Sequence, residues 1–146
     1  MSNYILINYG KFPDYVSYTV KSILNCEKKP NIYLCSDEDI DHLNIKSESV
    51  HYINLSNIES PMTEEVKKLN IYSSFQNSLL KTSLWRVFAL ADVAKFLNLS
   101  SFIHFDNDVV VYESFKSFSS FLDINKIYIT ENSNSSFVFG YMYCGD

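Results

Sequence analysis

Short apolar runs, each closed by a polar or glycine-bearing turn, are separated along this chain by stretches whose apolar residues recur at three- and four-residue steps. That pattern predicts strands alternating with helices. Tyr4 to Asn8 (YILIN) reads as a first buried strand, β1, with a turn at Tyr9-Gly10. Pro13 and Asp14 open a helix over Tyr15 to Leu24, where Val16, Thr19, Val20, Ile23 and Leu24 fall at helical spacing and proline sits where a first turn tolerates it. Ile32 to Cys35 (IYLC) predicts a second strand, closed by Ser36-Asp37-Glu38-Asp39, and Val50 to Leu55 a third, peripheral one. Pro61 to Asn70 predicts a polar helix with Glu64 and Glu65 near its start, followed by a polar break over Ser73 to Ser78.

The longest helical signal runs from Leu79 to Leu97, with Leu80, Leu84, Val87, Phe88, Ala91 and Ala94 along one broad apolar face. Asn98 to Ser100 stops it, and Phe102 to Val111 (FIHFDNDVVV) predicts the next strand, rich in the β-branched and aromatic residues strands favour. A short helix over Ser114 to Leu122 and two strands, Ile127 to Thr130 and Phe137 to Tyr143, close the chain. Alternation of this kind predicts an α/β fold, Rossmann-like, with a mostly parallel sheet flanked by helices. Ligands bind such sheets beyond the carboxyl ends of their strands. The places to look are therefore Asn8 to Gly10, Ser36 to Asp39, and Asp106 to Asp108.

A length of 146 residues fits one domain spanning 1–146, and 47% hydrophobic with 16% aromatic residues is enough to fill a core. The net charge is −5 and the lysines are scattered, so no basic stripe exists to neutralise a nucleic-acid backbone. No apolar stretch approaches the length of a transmembrane segment, and no basic leader precedes Tyr4. Cys26, Cys35 and Cys144 are odd in number, widely spaced and without zinc-ligand spacing, which reads as reduced core thiols and a cytoplasmic location. Asn-x-Ser triplets at Asn54, Asn98 and Asn134 carry no weight without a secretion signal.

The candidate chemistry is at Asp106-Asn107-Asp108. On a continuous strand, Asp106 and Asp108 project to one side and Asn107 to the other. Two carboxylates this close repel each other unless a cation or hydrogen-bond donors compensate. Mg²⁺ or Mn²⁺ does so while taking its remaining ligands from water and substrate phosphate. The bland alternative is that the pair solvates a turn, but here it interrupts an apolar strand with Val109 to Val111 following at once, where unpaired charge is costly. His104 falls on the same side as Asp106, and a hydrogen-bonded core histidine is the better reading of it than a third ligand. Trp85 reads as helix packing.

The stretch Leu84 to Tyr112 (LWRVFALADVAKFLNLSSFIHFDNDVVVY) resembles the GT-A class of nucleotide-sugar glycosyltransferases, with a layout similar to that of lipopolysaccharide galactosyltransferase-like and glycogenin-like enzymes. The resemblance implies that Asp108 ligates the metal and that Asp106 contacts the ribose or the metal. It further implies that Arg86 reaches the donor sugar or diphosphate, as its charged fork suits. Asn8, Tyr9 and Gly10 match the turn that wraps the nucleotide, with Tyr9 stacking on the base, and Asp37 matches an acidic residue that contacts base or ribose. A solvated surface arginine and ordinary loop residues are the alternatives at these positions. The implied activity is transfer of a sugar from a nucleotide-diphosphate sugar donor to a glycan or related acceptor.

Such enzymes carry a second half after the Asp-x-Asp strand, supplying acceptor contacts and any catalytic base, and this chain ends at Cys144-Gly145-Asp146. The expectation is therefore a donor-binding portion with its C-terminal half truncated, and a non-catalytic nucleotide-sugar-binding domain is one alternative. The other is a haloacid-dehalogenase-type phosphatase with Asp106 as nucleophile and Asp108 as acid/base. That family places the motif on its first strand and a glycine where this chain has Val109.

Overall fold

The structure is a computed structural model that describes residues 2–69, 78–133 and 136–145. Its six strands are β1 (Asn3–Asn8), β2 (Asn31–Ser36), β3 (Val50–Asn54), β4 (Phe102–Phe105), β5 (Ile127–Ser133) and β6 (Ser136–Cys144). Its α-helices are α1 (Val16–Cys26), α2 (Pro61–Lys68), α3 (Ser78–Phe96) and the short α4 (Lys116–Ser119). The strands form one sheet in the order β3-β2-β1-β4-β6-β5. The first four run parallel, and β6 lies antiparallel to both β4 and β5. The mostly parallel sheet is thus as the alternating pattern predicts. Asn70 and residues 73–77 of the predicted break lie outside the described residues, and Ser78 begins α3 instead.

Strand alternation sends β1 to both faces. Tyr4 and Leu6 join Ile32, Leu34, Ile103 and Phe105 under Val16, Val20 and Ile23 of α1, while Ile5 and Ile7 join Cys35, Phe102 and Met142 under Ala89, Leu90 and Val93 of α3. The sheet is therefore a filling between two helical layers, and each fully buried Ile or Leu contributes about 1.5–3 kcal/mol. The described thiols are free, with Cys35 fully buried. No helix among the described residues is long and apolar enough to cross a membrane.

Two sequence expectations are corrected. The face α3 buries is Ala89, Leu90 and Val93, whereas Ala91 is exposed. Apolar side chains stand on several sides of that helix, between Lys81, Arg86, Asp92 and Lys95, so spacing alone did not select its inner face. The predicted strand through Val111 stops at Phe105: Asp106 lies beyond it and Asn107 and Asp108 form a turn, closed by the Val109 amide donating to the Asp106 carbonyl at 3.2 Å. The carboxylates accordingly owe their positions to a turn and not to strand alternation. Past the turn the chain lies along α1, whose Thr19 hydroxyl donates to the Asn107 carbonyl (2.7 Å) and whose Ser22 hydroxyl accepts from the Val111 amide (2.9 Å).

Candidate functional site

The chain leaves β1 through α1 to β2 and β3 on one side, then returns through α3 to β4 on the other side of β1. Flanking connections diverge at that point, which opens a crevice beyond the carboxyl ends of β1 and β4. A cavity of about 420 Å³ occupies it. Asn8 and Tyr9 line it from the end of β1, Tyr15 from the start of α1, Thr82, Ser83 and Arg86 from α3, and Asp106, Asn107 and Asp108 from the turn after β4. A larger open groove of about 880 Å³, lined by Cys26 to Lys29 and Ser114 to Ser117, holds none of the candidate residues.

Arg86 extends from α3 to the turn and donates from Nη1 to Asp106 Oδ1. The arginine side chain is only 16% exposed and the aspartate 45%, so the pair sits in the cavity wall with the carboxylate toward its opening. The β4 end is held from the other side by the Asp106 amide, which donates to the Gly140 carbonyl at 3.0 Å. Asp108 is exposed at the rim. Among the described residues, no group of three or more His, Cys, Asp or Glu side chains is placed to hold a metal ion. The donor set at the turn is two carboxylates, hard oxygen ligands of the kind Mg²⁺ or Mn²⁺ takes when substrate phosphates complete the shell.

Asn107, expected to point away from the site, is buried beneath it. Its Nδ2 donates to the Ile7 carbonyl (3.1 Å) and approaches Asn8 Oδ1 (3.3 Å), which ties the turn after β4 to the end of β1. Asn8 in turn donates to the carbonyls of Gly10 (3.0 Å) and Lys11 (2.9 Å), curling the next turn around itself. Gly10 has φ +83°, a left-handed conformation that costs glycine nothing. Its amide donates to Asp37 Oδ1 at 2.6 Å, and its carbonyl accepts from the Ser36 hydroxyl at 2.8 Å. Asp37 and Gly10 therefore meet next to the cavity but are not among its lining residues.

Tyr9 lines the cavity while the rest of its ring is engaged by the protein. Trp85 meets it edge-on at 5.5 Å between centroids, and the Lys67 ammonium lies 4.5 Å from its ring centre. Burial pushes its phenol up from the ordinary value, with Glu59, Asp37 and Asp92 adding to the effect. Lys67 also forms an ion pair with Glu59. His104 is fully buried, with Nδ1 2.8 Å from the Ile5 carbonyl, as expected of a core histidine. Burial lowers its pKa to about 4.

The structure thus brings Asn8, Tyr9, Arg86, Asp106 and Asp108 around one cavity and places Gly10 and Asp37 just behind it. Sequence reasoning missed Tyr15, Thr82, Ser83 and the structural role of Asn107. Thr82 and Ser83 stand four and three residues before Arg86 on one helix face, so helical spacing from the arginine was a usable signal.

No family model and no curated protein matches the sequence. Solved structures do. The chain is similar to the galactosyltransferase LgtC in complex with donor and acceptor sugar analogs, with a TM-score of 0.61 and 10% identity over 98% of this chain and 57% of that one. An active-site mutant of LgtC matches with a TM-score of 0.63 and 9% identity, over the same shares. The chain therefore spans somewhat over half the length of these structures. Its parallel core, its switch-point crevice between β1 and β4, and this likeness support one conclusion: the chain has the α/β fold of the GT-A glycosyltransferases.

Proposed function

We propose that this chain binds a nucleotide-diphosphate sugar and serves as the donor-binding portion of a glycosyltransferase acting on a glycan or related acceptor. The observation that carries the reading is the Arg86–Asp106 pair in the wall of a polar cavity at the switch point of the sheet, with Asp108 at its rim. Arg86 offers a planar, permanently charged fork to a diphosphate. Asp106 and Asp108 would hold Mn²⁺ or Mg²⁺ together with that diphosphate, since two carboxylates are too few for a cage made by protein alone. The cation, when bound, neutralises charge on the departing nucleoside diphosphate. Asn8 and Asn107 hold the two turns in register, so that Arg86 and both aspartates face one volume. The motif follows the fourth strand of the sheet, which disfavours the phosphatase arrangement.

Calorimetric titration with uridine and guanosine diphosphates, with and without Mn²⁺, tests this. One of the two binds, Mn²⁺ strengthens it, and Asp108→Ala or Arg86→Gln weakens it about 10- to 100-fold, the loss of a charge-assisted contact worth about 1.5–3 kcal/mol. Absence of binding by the intact chain, or binding indifferent to both substitutions, removes the assignment.

A further inference from the structure

The buried face of α1 is complete with Val16, Thr19, Val20 and Ile23, yet two tyrosines stand outside it. Tyr15 is 50% exposed and Tyr18 66%. They are three residues apart, and the Tyr18 amide donates to the Tyr15 carbonyl at 2.9 Å. That spacing makes their side chains neighbours on one helical turn. Tyr15 also lines the candidate donor cavity together with Arg86 and Asp106, and Tyr18 stands one helical turn further along α1. Single exposed apolar residues need no explanation, whereas adjoining ones at the mouth of a site do.

We propose that Tyr15 and Tyr18 form a platform for a pyranose ring of the acceptor glycan. The proposal rests on the reading of the cavity as a nucleotide-sugar site. Tyrosine presents a flat apolar face with a hydroxyl at its tip, which matches a pyranose, with C–H groups on its faces and hydroxyls around its edge. Asp14 and Asp108 are both exposed, Asp14 preceding Tyr15 in the chain and Asp108 lining the same cavity as Tyr15, and carboxylates accept hydrogen bonds from sugar hydroxyls. The Lys21 ammonium lies over the Tyr18 ring, 5.7 Å from its centre, and is a donor for sugar hydroxyls at that ring. The same two carboxylates disfavour an anionic lipid surface. Two side chains also offer far less than the roughly 800 Å² per partner of a stable protein interface, which argues against a second copy of the chain.

The test is an amide-shift titration of the isotopically labelled full chain with lactose, maltotetraose and chitotetraose, followed by uridine and guanosine diphosphates with Mn²⁺. At least one saccharide perturbs residues 14–21. Tyr18→Ala weakens that binding about 2- to 10-fold, as loss of an aromatic contact does, while Tyr18→Phe keeps it within about twofold because the ring remains. Tyr18→Ala leaves nucleotide binding, read at residues 8–10 and 106–108, unchanged. The platform is overturned if no saccharide perturbs residues 14–21, or if Tyr18→Ala binds as tightly as the parent. It is equally overturned if those shifts follow protein concentration alone, which signals self-association through this face. Loss of the nucleotide response with the saccharide response intact counts against the cavity reading and not against the platform.

Discussion

His104 sits at the centre of the sheet as a neutral ring, its Nδ1 facing the Ile5 carbonyl and its Nε2 buried without a partner. Burial lowers its pKa from the ordinary 6.5 to about 4. The unfolded chain takes up a proton near pH 6.5 and the native chain only near pH 4, so the unfolded state binds more protons between those values. Stability therefore falls as pH drops through that window and levels off below it, by on the order of 3 kcal/mol in all. Urea denaturation from pH 7 to pH 4 should show this slope, and His104→Gln should flatten it. An unchanged slope in the variant would place the acid sensitivity elsewhere. The residue scale is also where the sequence spoke most clearly: a histidine amid FIHF is read correctly as core because its neighbours are apolar. Asn107 was misread, because its direction depended on a strand that ends two residues earlier.

At the scale of elements, α2 is a short helix pinned by one carboxylate of its neighbour. Ser60 caps it, accepting from the Thr63 amide, with Pro61 in the first turn. Asp92 of α3 accepts from the Ser60 amide (3.0 Å) and the Thr63 hydroxyl (2.6 Å). Asp92→Ala leaves both donors without this acceptor and costs about 1–3 kcal/mol. Because α2 carries Lys67 onto Tyr9, amide exchange across residues 61–68 should accelerate in that variant, and exchange in β2 should not. Uniform acceleration would mean that α2 is no separate unit. The helices and strands themselves were legible from spacing to within a few residues, apart from the end of β4 and the extent of α4, which is only Lys116–Ser119. What spacing did not disclose is which face α3 buries, since its residues are apolar on several sides and only the neighbouring sheet decides. It also did not show where β4 stops, since Val109 to Val111 have strand-forming side chains but lie along α1 instead of extending the ladder.

For the whole molecule, the alternation of periods foretold an α/β sheet, while the order β3-β2-β1-β4-β6-β5 and the reversed β6 needed the structure. Strand order is a matter of long-range pairing, on which local patterns are mute. That order leaves β5 at one edge, with Ile127 64% and nearby Phe121 82% exposed. Apolar side chains beside an open strand edge are a site of association. Sedimentation of the chain should show a coefficient rising with concentration, and the double variant Phe121→Ser with Ile127→Lys should flatten the rise. A coefficient independent of concentration in the parent would show that this edge is protected as it stands.

Trp85 is the one tryptophan of the sequence, and it stands edge-on to Tyr9, which lines the cavity, with Lys67 beside both rings. Light absorbed by indole in this protein is therefore emitted from a single place, one ring away from the candidate site. A ligand that shifts Tyr9 or draws Lys67 toward a phosphate alters the field around that indole, so the native chain carries its own optical reporter and needs no dye to announce that the cavity has filled.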